Sequence, residues 1–143
     1  MNILFVVPYH SFGIDKELGM NQKGPPLGIA YLHAFMKQNG VKSRIFDARV
    51  YKKPLSALKE TINEFSPDLV GINIHCTSEM DDGAFLADKI KEIRGNIKIV
   101  VGGSHPSALP EDTLIRYRSI DFVVFGEGEL TLLELVRAIE NSA

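Results

Sequence analysis

The chain has 143 residues, 45% hydrophobic and 24% charged. That is the size and balance of one globular domain with a sizeable core, and it excludes a disordered chain. A net charge of −2 with no basic stripe leaves no electrostatic footprint for nucleic acid. A single cysteine, Cys76, excludes an internal disulfide and an all-cysteine metal site, and fits a reducing cytoplasm.

The opening "MNILFVV" has no positive flank, and its apolar run is too short for a signal peptide or a membrane span. It reads as a strand over 2–7. Residues 8–25, "PYHSFGIDKELGMNQKGP", form an unusually long connection, and such loops in compact domains are usually functional or disordered. "PPLGIAYLHAFMKQNG" then opens on prolines and closes on Gly40, sound helix start and stop signals. Leu27, Tyr31, Ala34 and Phe35 are placed on its buried face. "SRIFD" (43–47) is a short, polar strand suited to a sheet edge. Residues 54–65 repeat Leu55, Leu58, Ile62 and Phe65 at helical spacing. "DLVGINI" (68–74) is a continuous apolar strand, of the kind covered on both faces. Residues 79–94 form a helix burying Phe85, Leu86, Ile90 and Ile93. The strand "IKIVV" (97–101) leads to a short helix over about 110–118. The strand "DFVVF" (121–125) leads to a last helix over 128–141 carrying Leu132, Leu133, Leu135, Val136 and Ile139.

Strand and helix alternate five times. This predicts an α/β, three-layer αβα fold, flavodoxin-like (Rossmann-like), with a five-stranded parallel sheet in the order 2-1-3-4-5. No linker or internal repeat divides residues 1–143, so one domain is expected. In open parallel sheets, ligands bind beyond the carboxyl ends of the strands. The first strand is followed by Pro8, Tyr9 and His10, and the third by His75, Cys76, Thr77 and Ser78. The fourth is followed by Gly102, Gly103, Ser104 and His105, and the fifth by Gly126, Glu127 and Gly128. One edge of the sheet therefore differs chemically from the rest.

Three common uses of such a sheet fail on these residues. A phosphoacceptor domain needs acids after the first strand, an aspartate after the third and a lysine after the fifth; Pro8, His75 and Gly126 stand there. A flavodoxin needs a hydroxyl- and glycine-rich phosphate loop after the first strand, and "PYHSFG" is a poor match. A dinucleotide site needs GxGxxG at the first turn. "GEGE" (126–129) follows the last strand instead, and its two acids would repel a pyrophosphate.

Four segments in order carry a resemblance: "GPPLGIAYLHAFMKQNG", "FSPDLVGINI", "IKIVVGGSHPSALPED" and "IDFVVFGEGELTLLELVRAI". Together they resemble the N-terminal cobalamin-binding domain of cobalamin-dependent radical SAM enzymes, over nearly the whole chain. The resemblance implies that cobalamin lies over the sheet edge. Gly102 and Gly103 would let its nucleotide tail pass close to the backbone, with Ser104 and His105 beside the tail. The loops holding Pro8, Tyr9, His10, His75–Ser78 and Gly126–Gly128 would flank the tail and the lower face of the corrin. On that reading a valine at 103 fills the slot and leaves the domain folded.

Mutase-type cobalamin domains carry Asp-x-His-x-x-Gly after the first strand, the histidine ligating cobalt and the aspartate fixing its tautomer. Here His10 and Gly13 keep the spacing but Pro8 replaces the aspartate, and the radical SAM type generally lacks the ligating histidine. No metal ligand is therefore assigned, with His10 the one candidate for cobalt. Cys76 is expected to be a small buried side chain, and no nucleophile–base spacing involves His75, Cys76 or His105, so no catalytic residue is assigned. A radical SAM module needs Cx3CxxC, and one cysteine cannot supply it. S-adenosylmethionine and a [4Fe-4S] cluster would belong to a downstream module of the same polypeptide, this chain being its first domain or a free-standing relative. The other readings are a flavodoxin-like domain for another small molecule or nucleotide, and a ligand-free docking domain.

Overall fold

The structure, a computed structural model, describes residues 1–9 and 24–142. Five strands, β1 (Asn2–Val7), β2 (Lys42–Asp47), β3 (Leu69–Asn73), β4 (Lys98–Gly102) and β5 (Phe122–Val123), form one sheet. All neighbours are parallel and the order is β2-β1-β3-β4-β5, as the alternating pattern predicts. The helices are α1 (Leu27–Gln38), α2 (Pro54–Phe65), α3 (Met80–Ile93), α4 (Ser104–Ala108), α5 (Pro110–Arg116) and α6 (Gly128–Asn141).

Strand residues alternate between two cores, because successive side chains leave a strand on opposite faces. Leu4, Val6, Val70, Ile72, Ile99 and Val101 pack against Leu58 and Ile62 of α2 and Leu86, Ala87 and Ile90 of α3. Ile3, Phe5, Val7, Leu69 and Val100 face the other way, onto Ile29 and Met36 of α1 and Leu132, Leu133 and Val136 of α6. Each valine, leucine, isoleucine, phenylalanine or methionine among them contributes about 1.5–3 kcal/mol when fully buried. β2 reads "KSRIFD" and buries Phe46 while Lys42 and Arg44 stay in solvent, as an edge strand should.

Three details differ from or add to the sequence reading. The buried residues of α1 are Ile29 and Met36, with Leu32 and Phe35 packed beside them. Leu27 and Tyr31 are 73% and 63% exposed, and Ala34 is exposed too. "LGIAYLHAFM" is apolar almost all round, so its spacing fits two faces equally well. The helix expected over about 110–118 is α5, Pro110–Arg116, but a further short helix, α4, absent from the sequence reading, precedes it; the two are separated at Leu109 (φ −135°, ψ 58°). Pro110 lacks an amide hydrogen and crowds the residue before it out of the helical region. The last strand is shorter than 121–125. Its ladder ends where the Val124 amide donates to the Val101 carbonyl at 2.9 Å. Phe125 is then exposed, and Gly126, at φ +73°, turns the chain toward α6.

Candidate functional site: a glycine-walled groove at the sheet edge

A cavity of about 220 Å³ opens between α1, α6 and the carboxyl half of the sheet. Phe5, Gly71, Val100 and Gly102 lie beneath it, on the face turned to α1 and α6. Ile29 and Leu32 of α1 and Leu132 of α6 form its sides, and Gly126, Glu127, Gly128 and Glu129 border it where β5 passes into α6. Its interior is apolar and buried, whereas Gly126 and Glu127 are exposed at the mouth.

The glycines fall into two groups. Gly103 is required by the protein itself: its φ is +113°, and a Cβ there would lie 2.1 Å from the Ile74 carbonyl oxygen. No L side chain fits that position, whatever the ligand. The slot that the sequence reading gave to a cofactor is therefore filled, at 103, by the end of β3. A valine at 103 would damage the fold rather than leave it intact. Gly71 is tight, a Cβ lying 3.1 Å from Phe5 Cδ1. Gly102, Gly28 and Gly128 differ. A Cβ at 102 would meet only the Val124 carbonyl oxygen, at 3.4 Å; at 28 it would meet nothing within 4 Å; at 128 it would touch Leu32 and Val124 at ordinary distance. Neither packing nor a left-handed backbone demands glycine at these three positions, and all three line the cavity. Their missing side chains keep it open.

A second, polar group of residues lies along the same edge. Asn73 Nδ2 is 2.8 Å from His75 Nε2, and the His75 amide donates to Glu79 Oε2 at 2.7 Å. A short 3-10 turn, Thr77–Glu79, brings Thr77 Oγ1 within 3.1 Å of His105 Nδ1. Cys76 Sγ is 3.1 Å from Ser78 Oγ, and the thiol is exposed, contrary to the buried side chain expected. The 3-10 turn lifts it off the end of β3 into solvent. Ser104 opens α4 and is exposed. The Gly126 amide donates to Ser107 Oγ at 3.2 Å, which joins the β5 turn to α4. Among the described residues, no group of three or more His, Cys, Asp and Glu side chains is placed to hold a metal ion.

The structure thus brings Gly102, Gly103, Gly126, Glu127 and Gly128 to the groove, and His75, Cys76, Thr77, Ser78, Ser104 and His105 to the polar edge beside it. Pro8 and Tyr9 follow β1, and Tyr9 packs on the α2 and α3 side, away from the groove. Burial, and then the nearby Asp82 carboxylate, push the Tyr9 phenol above its ordinary pKa, so it remains a protonated hydrogen-bond donor. His10, the one candidate for cobalt, lies outside the described residues. Sequence reasoning missed Gly28, Gly71 and Asn73. A glycine inside the strand "DLVGINI" was itself a signal of close approach.

Comparison with known proteins gives the family of the chain. The model of the B12 binding domain matches residues 20–136. The chain belongs to the B12-binding domain family. It is 39% identical over 141 residues to an uncharacterised methyltransferase of Pyrococcus horikoshii, covering 99% of this chain and 30% of that protein. It is 34% identical over 147 residues to the anaerobic magnesium-protoporphyrin IX monomethyl ester cyclase of Rubrivivax gelatinosus, covering 99% of this chain and 25% of the cyclase. The B12-binding chain therefore spans under a third of the length of these curated relatives. In fold it is similar to a cobalamin-binding protein from Desulfitobacterium hafniense (TM-score 0.61, 13% identity, 92% of this chain and 57% of that one). It is also similar to the N-terminal domain of a response regulator receiver protein from Methanoculleus marisnigri (TM-score 0.57, 19% identity, 98% and 94%). The cofactor of this B12-binding domain is cobalamin. Among the described residues, no helix is long and apolar enough to cross a membrane.

Proposed function

We propose that residues 1–143 form a single cobalamin-binding domain that presents its cofactor to a radical SAM module elsewhere in the same polypeptide, in the cytoplasm. The observation that carries this reading is the trio Gly28, Gly102 and Gly128, left without side chains around a cavity that the fold does not need. A cavity of about 150 Å³ holds a single six-membered ring; this one, at about 220 Å³, has room for the fused base at the end of the cobalamin tail. Phe5, Ile29, Val100 and Leu132 would bury that base. Glu127 and Glu129, at the mouth, suit the hydroxyls of its sugar. His75, Thr77, Ser104 and His105 would meet the amide-bearing rim of the corrin.

Bound cobalamin supplies a cobalt centre able to carry a methyl group or an electron. The protein's part is to anchor the tail, hold the ring over the strand ends and keep one ring face open. Leu27, Tyr31, Phe125 and Leu130 stand next in sequence to groove residues, and all are large apolar side chains left in solvent. The corrin and the following module would cover them. S-adenosylmethionine and the [4Fe-4S] cluster would belong to that module.

The test is titration of the purified chain with hydroxocobalamin and methylcobalamin, followed by calorimetry and visible spectroscopy. Saturable one-to-one binding is expected, with a spectrum that lacks histidine coordination. Absence of binding by either corrinoid would overturn the reading.

A further inference from the structure

We propose that the groove selects corrinoids by the chemistry of their lower base, admitting a benzimidazole and rejecting a purine. The proposal rests on the reading above, that the nucleotide tail enters this groove. Benzimidazole and adenine are fused bicycles of similar size, so a cavity of about 220 Å³ does not separate them by shape. Polarity does. A benzimidazole presents only carbon on its outer ring. Adenine presents ring nitrogens and an exocyclic amine, each of which needs a partner once out of water.

The groove has few partners to give. Its interior side chains are Phe5, Ile29, Leu32, Val100, Val124 and Leu132, all hydrocarbon. Three polar backbone groups around them are engaged, while the first amides of α1 and α6 carry no side-chain cap. The Gly102 carbonyl accepts from the Ile74 amide at 2.8 Å and the Gly103 carbonyl from the Ser107 amide at 3.0 Å. The Gly126 amide is taken by Ser107 Oγ. Asn73, the last residue of β3, is the polar uncharged side chain of the lining, and its Nδ2 pairs with His75 Nε2. The carboxylates of Glu127 and Glu129 lie on the first turn of α6, with Glu127 exposed at the mouth, away from the apolar interior. A purine base would thus bury more polar atoms than the apolar interior can pair, at a cost of roughly tenfold in affinity for each one left unpaired.

Three corrinoids decide this with the wild-type chain: cobalamin, the cobamide with adenine in place of dimethylbenzimidazole, and cobinamide, which has no nucleotide tail. Calorimetry gives the dissociation constant of each. Cobalamin is expected to bind about tenfold or more tightly than the adenine cobamide, with cobinamide weaker than cobalamin. Equal affinity for the two bases, or preference for adenine, overturns the selectivity while leaving cobalamin binding in place. Cobinamide binding as tightly as cobalamin overturns it as well, by showing that no base occupies the groove. Failure of all three to bind overturns the cobalamin reading itself, and the selectivity with it.

Discussion

Alanine at Gly103 and alanine at Gly102, adjacent residues, should have opposite consequences. At 103 the backbone sits at φ +113° and ψ −176°, a region open essentially to glycine alone, and holding a side chain there costs about 1–3 kcal/mol. The new Cβ would also lie 2.1 Å from the Ile74 carbonyl oxygen, so the turn into α4 must move away from β3. Displacements of that kind cost about 1–3 kcal/mol. They also endanger the Ile74 amide bond to the Gly102 carbonyl, worth about 0.5–1.5 kcal/mol. Gly103→Ala should therefore destabilise by about 2.5–7.5 kcal/mol, a large part of the roughly 5–15 kcal/mol that holds a domain of this size together. Gly102→Ala meets only the Val124 carbonyl at 3.4 Å and should stay within about 1 kcal/mol of wild type. Its methyl group stands in the groove wall, so corrinoid affinity should fall while the fold holds. Urea unfolding with a shared m-value measures the first effect, and calorimetric titration with hydroxocobalamin the second. A Gly103→Ala midpoint equal to wild type, or a Gly102→Ala protein with unchanged affinity, would refute the division of roles.

Other perturbations probe different parts of the molecule. Burial alone would raise the Asp121 pKa, but Lys91 Nζ at 2.7 Å, the Ile99 amide at 2.8 Å and Lys98 outweigh it and hold the carboxyl below its ordinary range. Because the folded value lies below the unfolded one, this contribution is fully present above about pH 4 and drains away as pH falls through the folded value. Asp121→Asn should cost about 1–3 kcal/mol near neutrality and flatten the acid limb of the stability–pH curve, followed by thermal melts. Cys76 should react fully with a thiol reagent in the native protein, without denaturant; a thiol that reacts only on unfolding would contradict its exposure. Gly71→Ala must push the Phe5 ring, 3.1 Å from the new Cβ, and should weaken cobalamin binding more than cobinamide binding. His10→Ala should leave the visible spectrum of the cobalamin complex unchanged, and a clear band shift would make His10 a cobalt ligand.

Much of the fold was legible because parallel strands covered on both faces must be continuously apolar, and "NILFVV", "DLVGINI" and "IKIVV" are. The last helix shows its phase plainly, with Leu132, Leu133 and Val136 on the buried side between charged residues. The first helix does not. With Leu27, Ile29, Tyr31, Leu32, Phe35 and Met36 spread around its axis, only the sheet beneath decides which side is buried. The exposure of Cys76 was hidden for a related reason. A residue just past a buried strand inherits that burial only if the chain runs straight, and the turn at Thr77–Glu79 is not encoded in the apolar pattern.

The glycines show where sequence reasoning about a site stops. "VVGGSH" announces that something comes close to the backbone after β4, and such a pair of glycines is compatible with two answers, a strained turn or a ligand. Both hold, one residue apart. Gly103 answers to the Ile74 carbonyl and a left-handed φ, while Gly102, with φ outside that region, answers to neither. Two adjacent glycines look identical in a sequence, and only the position of β3 and β5 on either side separates them. The same holds for Gly28 and Gly128, which read as an ordinary first-turn residue and a helix start until α1 and α6 are seen to face one another across the groove. Where a glycine that the protein's own packing does not require also lines a cavity, its missing side chain leaves room for something else. In this domain, three such glycines converge on one cavity above the sheet.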